Sequence, residues 1–260
     1  MNWEKLTSPE FEKAVKETKV CVIAFGVLER HGNHLPLGTD YLNGHKLCTK
    51  ASEIEPAVVF PPFYFGQIFE ARCFPGTVAI APELLFSLVQ NVFDEISRNG
   101  FKKIILYNAH GGNDAFLKYI SQCQLSKQYP YQIYLFSPYS EERNKFYKEV
   151  CETTLHGHAC ECETSISLHN HEELVKMDTI DKEPFLPKRN LAHINNLFTG
   201  LSWYSNYPVH YVGDANVATV KKGKKLFDYD CNQLAKFIKA VKEDTALENL
   251  SNEFHSKTVF

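Results

Sequence analysis

Apolar runs and amphipathic stretches alternate along the chain. Val20-Cys21-Val22-Ile23-Ala24-Phe25 is continuous and apolar, and Gly26 ends it. A short run of this kind, bounded by a turn residue, predicts a strand buried on both faces. Lys103–Tyr107 and Gln132–Phe136 read the same way. Ala57–Phe60 is a briefer strand closed by Pro61-Pro62, and Val78–Ile80 another after the turn Phe74-Pro75-Gly76-Thr77. Between them lie helical patterns. Ser8 caps a first helix with Pro9 in its first turn, running to about Glu17. Thr39 or Asp40 starts a second, through about Glu55. Pro82-Glu83 opens a third, which stops at Asn99-Gly100. Asn113 caps a fourth, through about Leu125. A final helix is expected over about Ala218–Glu248, with Leu226, Leu234, Phe237, Ile238 and Val241 as its core face. The stretch Asp181–Asn190, with Pro184 and Pro187, reads as a surface connection. Strand-helix alternation predicts an α/β fold with a mainly parallel sheet covered on both faces.

The polar residues that follow two of these strands carry the chemistry. After Val20–Phe25 comes Glu29-Arg30-His31-Gly32-Asn33-His34-Leu35-Pro36-Leu37-Gly38-Thr39-Asp40. Gly32, Pro36 and Gly38 make it a loop. Glu29, His31, His34 and Asp40 are potential metal ligands there, set against the plainer reading of a solvated turn with Asp40 capping a helix. Lys103–Tyr107 leads into Asn108-Ala109-His110-Gly111-Gly112-Asn113. In a parallel sheet the carboxyl ends of strands share one edge, where open α/β sheets place their sites. His31 and His110 are thereby expected to meet. Oxygen and imidazole donors without thiolate suit zinc, manganese or iron.

A third stretch is His156-Gly157-His158-Ala159-Cys160-Glu161-Cys162-Glu163-Thr164-Ser165. Glu161 and Glu163 diverge on a regular helix, but a turn or helix start would let both approach one site. Cys160 and Cys162 suggest a zinc knuckle, yet C-x-C without a second cysteine pair is weak for a structural site. The two thiols are expected not to touch metal. The run Lys221-Lys222-Gly223-Lys224-Lys225 reads as a solvated helix start rather than a phosphate site.

Composition narrows the function classes. The chain has 260 residues, 44% hydrophobic, enough for one large α/β domain over residues 1–260. A net charge of -3 gives a nucleic-acid partner no support. No apolar run approaches membrane-spanning length, and Met1-Asn2-Trp3-Glu4-Lys5 has no signal-peptide core. The eight scattered cysteines read as reduced thiols of a cytoplasmic protein.

The three loops together resemble the creatininase (creatinine amidohydrolase) family. Phe74-Pro75-Gly76-Thr77, and Gly213-Asp214 with Ala218-Thr219, are similar to further turns of that family. The resemblance spans the first strand to the last helix. It implies a single three-layer α/β/α domain, two divalent metal ions per chain (zinc first, manganese or iron as alternatives) and a homo-oligomer, often a hexamer. By motif, Glu29, His31, Asp40, His110 and Glu163 would be metal ligands, with Asp40 bridging. A bridging hydroxide would attack the amide carbonyl of a small-molecule substrate. His158 would serve the leaving nitrogen or the developing oxyanion, with Glu161 the rival proton shuttle.

The sequence departs from that pattern in several places. Arg30, Cys160 and Ala71 replace residues common in the family. Creatinine-cleaving members carry an aromatic and an acid where this chain has Gly111 and Gly112. The expected activity is therefore hydrolysis of a small cyclic amide or formamide other than creatinine. The alternative is a silent metal-binding member that holds a metabolite or partner.

Overall fold

The computed structural model describes residues 1–180 and 185–258. Strand β1 (Val20–Phe25) is buried throughout, as its unbroken apolar run requires. It pairs in parallel with β2 (Val58–Val59) on one side and β3 (Lys103–Asn108) on the other. β4 (Gln132–Phe136) extends the sheet beyond β3. Among the described residues the main sheet therefore has four parallel strands, in the order β2–β1–β3–β4.

Side chains alternate across this sheet, so each strand feeds two cores. Cys21, Ile23 and Phe25 join Ile104 and Leu106 under α3 (Pro82–Arg98) and α4 (Asp114–Cys123), through Leu85, Val89, Phe93, Leu117 and Ile120. Val20, Val22 and Ala24 join Ile105 and Tyr107 on the opposite face. There they pack on Leu47 and Cys48 of α2 (Thr39–Ile54) and on Phe227, Leu234 and Ile238 of α8 (Val220–Glu243). Burying each such aliphatic side chain contributes about 1.5–3 kcal/mol. The result is the three-layer α/β/α fold. The remaining elements are α1 (Ser8–Thr18), α5 (Glu141–Val150), α6 (Glu161–His171), α7 (Ser202–Asn206) and α9 (Ala246–Ser256). A small antiparallel pair, β5 (His156–His158) and β6 (Val212–Gly213), lies apart from the main sheet.

Several local expectations are corrected. Thr7, not Ser8, caps α1: its N–H and hydroxyl both donate to Glu10, at 2.8 and 2.7 Å. Val78–Ile80 is not a strand, because Val78 N–H reaches only the Leu28 carbonyl. The long final helix is two helices. Lys103 Nζ donates to the carbonyls of Val241 (2.8 Å), Lys242 (3.0 Å) and Asp244 (2.5 Å), closing α8. The Asp244 carboxylate then accepts from Ala246 and Leu247 N–H, starting α9. The described part of the expected surface connection, residues 185–190, is mostly exposed or half-buried; residues 181–184 lie outside the described residues. Among the described residues no helix is long and apolar enough to cross a membrane.

Helix α6 is held hard against α8 at Gly223. A Cβ built there would fall 1.8 Å from the Ser165 carbonyl oxygen, a backbone atom of α6. Gly223→Ala should therefore lower stability, although alanine is the better helix former by about 1 kcal/mol. Forcing extra volume into a packed contact costs ~1–3 kcal/mol, a drop in Tm of roughly 2–12 °C for a chain of this size. Calorimetry checks it; an unchanged or raised Tm would show that the two helices can separate freely.

Candidate active site

The carboxyl ends of β1 and β3 lie side by side, with Phe25 opposite Asn108. The two loops leaving them meet the first turn of α2. There Asp40 sits at the positive end of a helix, where a carboxylate is favoured. His31 Nε2 lies 3.0 Å from Asp40 Oδ1. His110 Nδ1 lies 3.0 Å from Asp40 Oδ2 and 2.7 Å from Glu29 Oε1. Asp40 thus stands between the two histidines, one oxygen toward each. All four side chains are buried.

Hydrogen bonds settle which nitrogen of each ring faces the cluster. His31 Nδ1–H donates to the Glu29 carbonyl at 3.3 Å, so Nε2 is the nitrogen turned toward Asp40. Trp203 Nε1, which can only donate, is 2.9 Å from His210 Nδ1. His210 Nδ1 must therefore accept, and Nε2–H donates to Glu29 Oε2 at 2.5 Å. His210 is thus a partner that orients Glu29, although its ring atoms lie close enough to Glu29 and His158 to resemble a ligand set. Glu29 Oε1 and Asp40 Oδ2 are buried and form no well-aligned hydrogen bond; the nitrogen within reach of both is the single His110 Nδ1. One ring nitrogen cannot satisfy two buried carboxylate oxygens, and leaving either underserved is costly. Two such oxygens converging beside an imidazole fit a cation.

The third stretch arrives from β5 and α6. His158 follows Gly157 in β5, and its ring stacks 4.2 Å from that of His31. Its Nε2–H donates to the Arg30 carbonyl at 2.7 Å. Glu163, in the first turn of α6, accepts from Ala159 N–H at 2.5 Å and lies with His31 and His158 in one potential ligand group. Ala159 and His210 both hold left-handed backbone, with φ of 54° and 53°. Each such residue costs on the order of 1–3 kcal/mol and tends to persist at functional sites.

With only protons to balance its carboxylates, the cluster is strongly polarised. Burial would raise Glu29, but His110 and His158 outweigh it and hold the carboxyl well below the usual carboxylate range. Burial would depress His31, yet Asp40, Glu29 and Glu163 lift it to about 10. His110 is raised too, against burial, by Glu29 and Asp40. Glu163 is pushed up to about 8, first by burial and then by Cys160. Burial pushes His158 down to about 3.

Glu29, His31, Asp40, His110, His158 and Glu163 therefore converge as the sequence predicts, and Glu161 does not. Its carboxylate is fully buried and turned away from the cluster. It accepts from Glu152 N–H, Thr153 N–H, the Thr153 hydroxyl and Lys222 Nζ. Lys222 is correspondingly not a merely solvated lysine. His34 is turned away as well: its Nε2 meets the Thr164 hydroxyl at 2.8 Å. Asn113 precedes α4 but does not cap it with its side chain. Instead Asn113 Oδ1 accepts from Gln67 N–H and Nδ2 donates to the Phe25 carbonyl, tying the aromatic loop to β1.

The cluster lies at the base of a cavity of about 820 Å³. Phe69, Tyr139, Phe198, Trp203 and Tyr207 supply its aromatic walls. Glu70, from the same aromatic loop, also lines it and stands 3.9 Å from His110 Nε2. A Cβ added at Gly112 would fall 2.5 Å from Glu70 Oε1 and from His110 Nε2. Glu70 thus brings a carboxylate to the space beside Gly112.

The family profile described as creatininase, creatinine amidohydrolase, matches residues 4–238. The chain belongs to the creatininase family. Among curated proteins it is 25% identical over 264 residues to a 3-dehydro-scyllo-inosose hydrolase of Thermotoga maritima, covering 93% of this chain and 83% of that one. It is 26% identical over 238 residues to a mycofactocin precursor peptide peptidase of Mycolicibacterium smegmatis, covering 86% and 85%. Among solved structures, a creatinine amidohydrolase (creatininase) superposes with a TM-score of 0.78 at 19% identity, over 94% of this chain and 98% of that one. The family's fold is thus this chain's fold, and membership makes it an amidohydrolase-family enzyme.

Proposed function

We propose that this creatininase-family enzyme is a metal-dependent hydrolase cleaving the C–N bond of a small cyclic amide or formamide. The observation that carries this reading is the pair of buried carboxylate oxygens, Glu29 Oε1 and Asp40 Oδ2, both closing on the one nitrogen His110 Nδ1 without a well-aligned hydrogen bond, while Asp40 Oδ1 meets His31 Nε2. Glu29, His31, Asp40, His110 and Glu163 would hold two divalent ions, with Asp40 shared between them. Zinc suits this donor set first, manganese and iron next. Creatininases of the same fold are known in a zinc–zinc form and in a manganese form. Such ions supply a nucleophilic water at neutral pH and polarise the scissile carbonyl.

The chain's own residues then carry binding and proton transfer. His210, locked by Trp203, fixes the Glu29 carboxylate. Glu70 stands behind His110 as a carboxylate that can orient it. Because Nε2–H of His158 is engaged by the Arg30 carbonyl, Nδ1 is its basic nitrogen. There His158 takes up the proton released on attack and returns it to the leaving nitrogen. Aromatic walls exclude water and accept a flat or partly apolar substrate. We further propose a homo-oligomer of one-domain chains, since Leu186, Phe198 and Leu201 are 65%, 90% and 64% exposed, and Phe198 also lines the cavity. The free thiols suit a reducing, cytoplasmic setting.

The test is metal analysis coupled to a substrate panel of formamides, lactams and short peptides, read by release of formate, ammonia or a new amine. Two metal equivalents per chain that are lost together in Asp40→Ala, and turnover of an amide by the wild type, support the reading. Metal bound without turnover of any member would favour the silent binding protein.

Metal uptake should depend steeply on pH. Glu163 at about 8 and His31 at about 10 hold protons at neutral pH that the ions must displace. Affinity should rise with pH by about tenfold per unit for each displaced proton, most steeply below pH 8. Competition against a chelator between pH 6 and 9 measures it; a flat profile would contradict the protonation described above.

A further inference from the structure

We propose that Cys151, His156, Cys160 and Cys162 form a second, separate metal centre, a Cys3His site for zinc. The two-thiol motif in the sequence lacks partners nearby, but the fold supplies them. Cys151 leaves α5 and its Sγ comes to 3.2 Å from Cys162 Sγ in α6. One ligand atom each from Cys151, His156 and Cys162 lie within 4.8 Å of one another. Cys160, the residue that caps α6, packs in the same cluster as Cys151 and Cys162 just outside that group of three, and supplies the fourth donor as its Sγ turns in on binding. Cys21, Cys48 and Cys231 lie in the two large cores on either face of the sheet, while Cys151, Cys160 and Cys162 share a smaller cluster with Tyr147 and Leu226.

The histidine is prepared for this role. His156 Nε2–H donates to the Thr153 carbonyl at 2.8 Å, which leaves Nδ1 as the nitrogen with a free lone pair. Zinc-binding histidines typically have their other N–H held by a carbonyl or carboxylate in this way. Three thiolates and one imidazole are a common donor set for four-coordinate structural zinc. On binding, each thiol loses its proton to solvent and its sulfur lone pair bonds the ion, so no oxidant is required.

The loop that carries these donors is already fastened from the other side. Glu161 lies between Cys160 and Cys162 in sequence and accepts from Glu152 and Thr153 at the base of the same loop. Zinc would close the clamp, fixing residues 151–156 against the start of α6. That helix carries Glu163 and the adjoining strand carries His158, so the clamp sets two groups of the active site without touching substrate.

Cobalt substitution of the purified full-length protein tests the proposal. Thiolate-to-cobalt charge transfer absorbs in the near ultraviolet, and a site built from histidine and carboxylate does not give it. The expected result is that band in the wild-type protein, with a third metal equivalent beyond the pair at the histidine–carboxylate cluster. The band should persist in Asp40→Ala, where that pair is lost, and vanish in Cys151→Ser and Cys162→Ser. Cobalt-loaded Asp40→Ala that has lost the pair at the histidine–carboxylate cluster but keeps the band separates failure of the functional reading from failure of this one. The wild-type spectrum decides even where a cysteine variant does not fold. Absence of the band in wild type, or recovery of a Cys151–Cys162 disulfide peptide from protein kept under zinc, would overturn the second centre.

Discussion

Asp40→Ala is expected to strip the histidine–carboxylate cluster of both its ions and to abolish hydrolysis. Asp40 alone has an oxygen toward each histidine, Oδ1 to His31 and Oδ2 to His110, both at 3.0 Å. Losing it removes a donor from both positions at once and leaves two buried imidazoles facing each other across a gap. Losing a mere outer partner of a metal ligand costs ~10–100-fold in affinity, and a shared inner ligand should cost more at each position. Elemental analysis of the purified variant, dialysed at neutral pH, should show about two equivalents fewer than wild type. Circular dichroism beside it distinguishes metal loss from unfolding. Should the folded variant keep both equivalents, Asp40 does not bridge.

Creatinine is expected to be a poor substrate. A flat, nearly neutral ring needs a wall to stack on and a polar group for its exocyclic nitrogen. Gly111 offers no side chain, and the space where its Cβ would point is open to the Tyr139 hydroxyl, 3.9 Å away. Gly112 carries no carboxylate itself, but Glu70, from another loop, brings one to the same space beside His110 Nε2. Trp203 and Tyr139 line the cavity from other segments, and the Gly111 side has no wall of its own. The contact missing at Gly111 costs ~1–3 kcal/mol. That lowers kcat/KM by roughly five-fold to 150-fold relative to a substrate that fits. The open glycines and the volume of about 820 Å³ should favour a bulkier or acyclic amide instead. Steady-state kinetics on enzyme loaded with zinc, manganese or iron decides the matter. Creatinine emerging as the best substrate with any of them would mean that the pocket closes in a way the free chain does not display.

What was legible in the sequence was what local pattern controls. The apolar run Val20–Phe25 became a strand with the same ends, because a buried parallel strand leaves no position polar. Glu29, His31, Asp40 and His110 were legible because the loops after two parallel strands must share an edge. His210 and Glu70 were not. Pro208-Val209-His210-Tyr211 has no periodicity or ligand spacing, and only the Trp203 hydrogen bond reveals what its imidazole does. The sequence lets Glu161 and Glu163 share one site at a turn or helix start, but α6 begins at Glu161 itself and both stand on regular helix. Two residues on a helix stand about 200° apart, so Glu163 faces the cavity and Glu161 must face the opposite loop. The break at Asp244 depended on Lys103, more than a hundred residues earlier, reaching the carbonyls of α8.

The bond between Trp203 and His210 also makes the molecule its own optical probe. The chain has two tryptophans. Trp3 is set among Phe11, Phe60 and Phe101 in a hydrocarbon environment. Trp203 lines the cavity, with its indole nitrogen one imidazole away from the Glu29 carboxylate. Its emission colour and intensity respond to the charge on that carboxylate and to whatever displaces solvent from the cavity. Occupancy of the active site can thus be followed by light in the unlabelled protein, with Trp3 as a constant background.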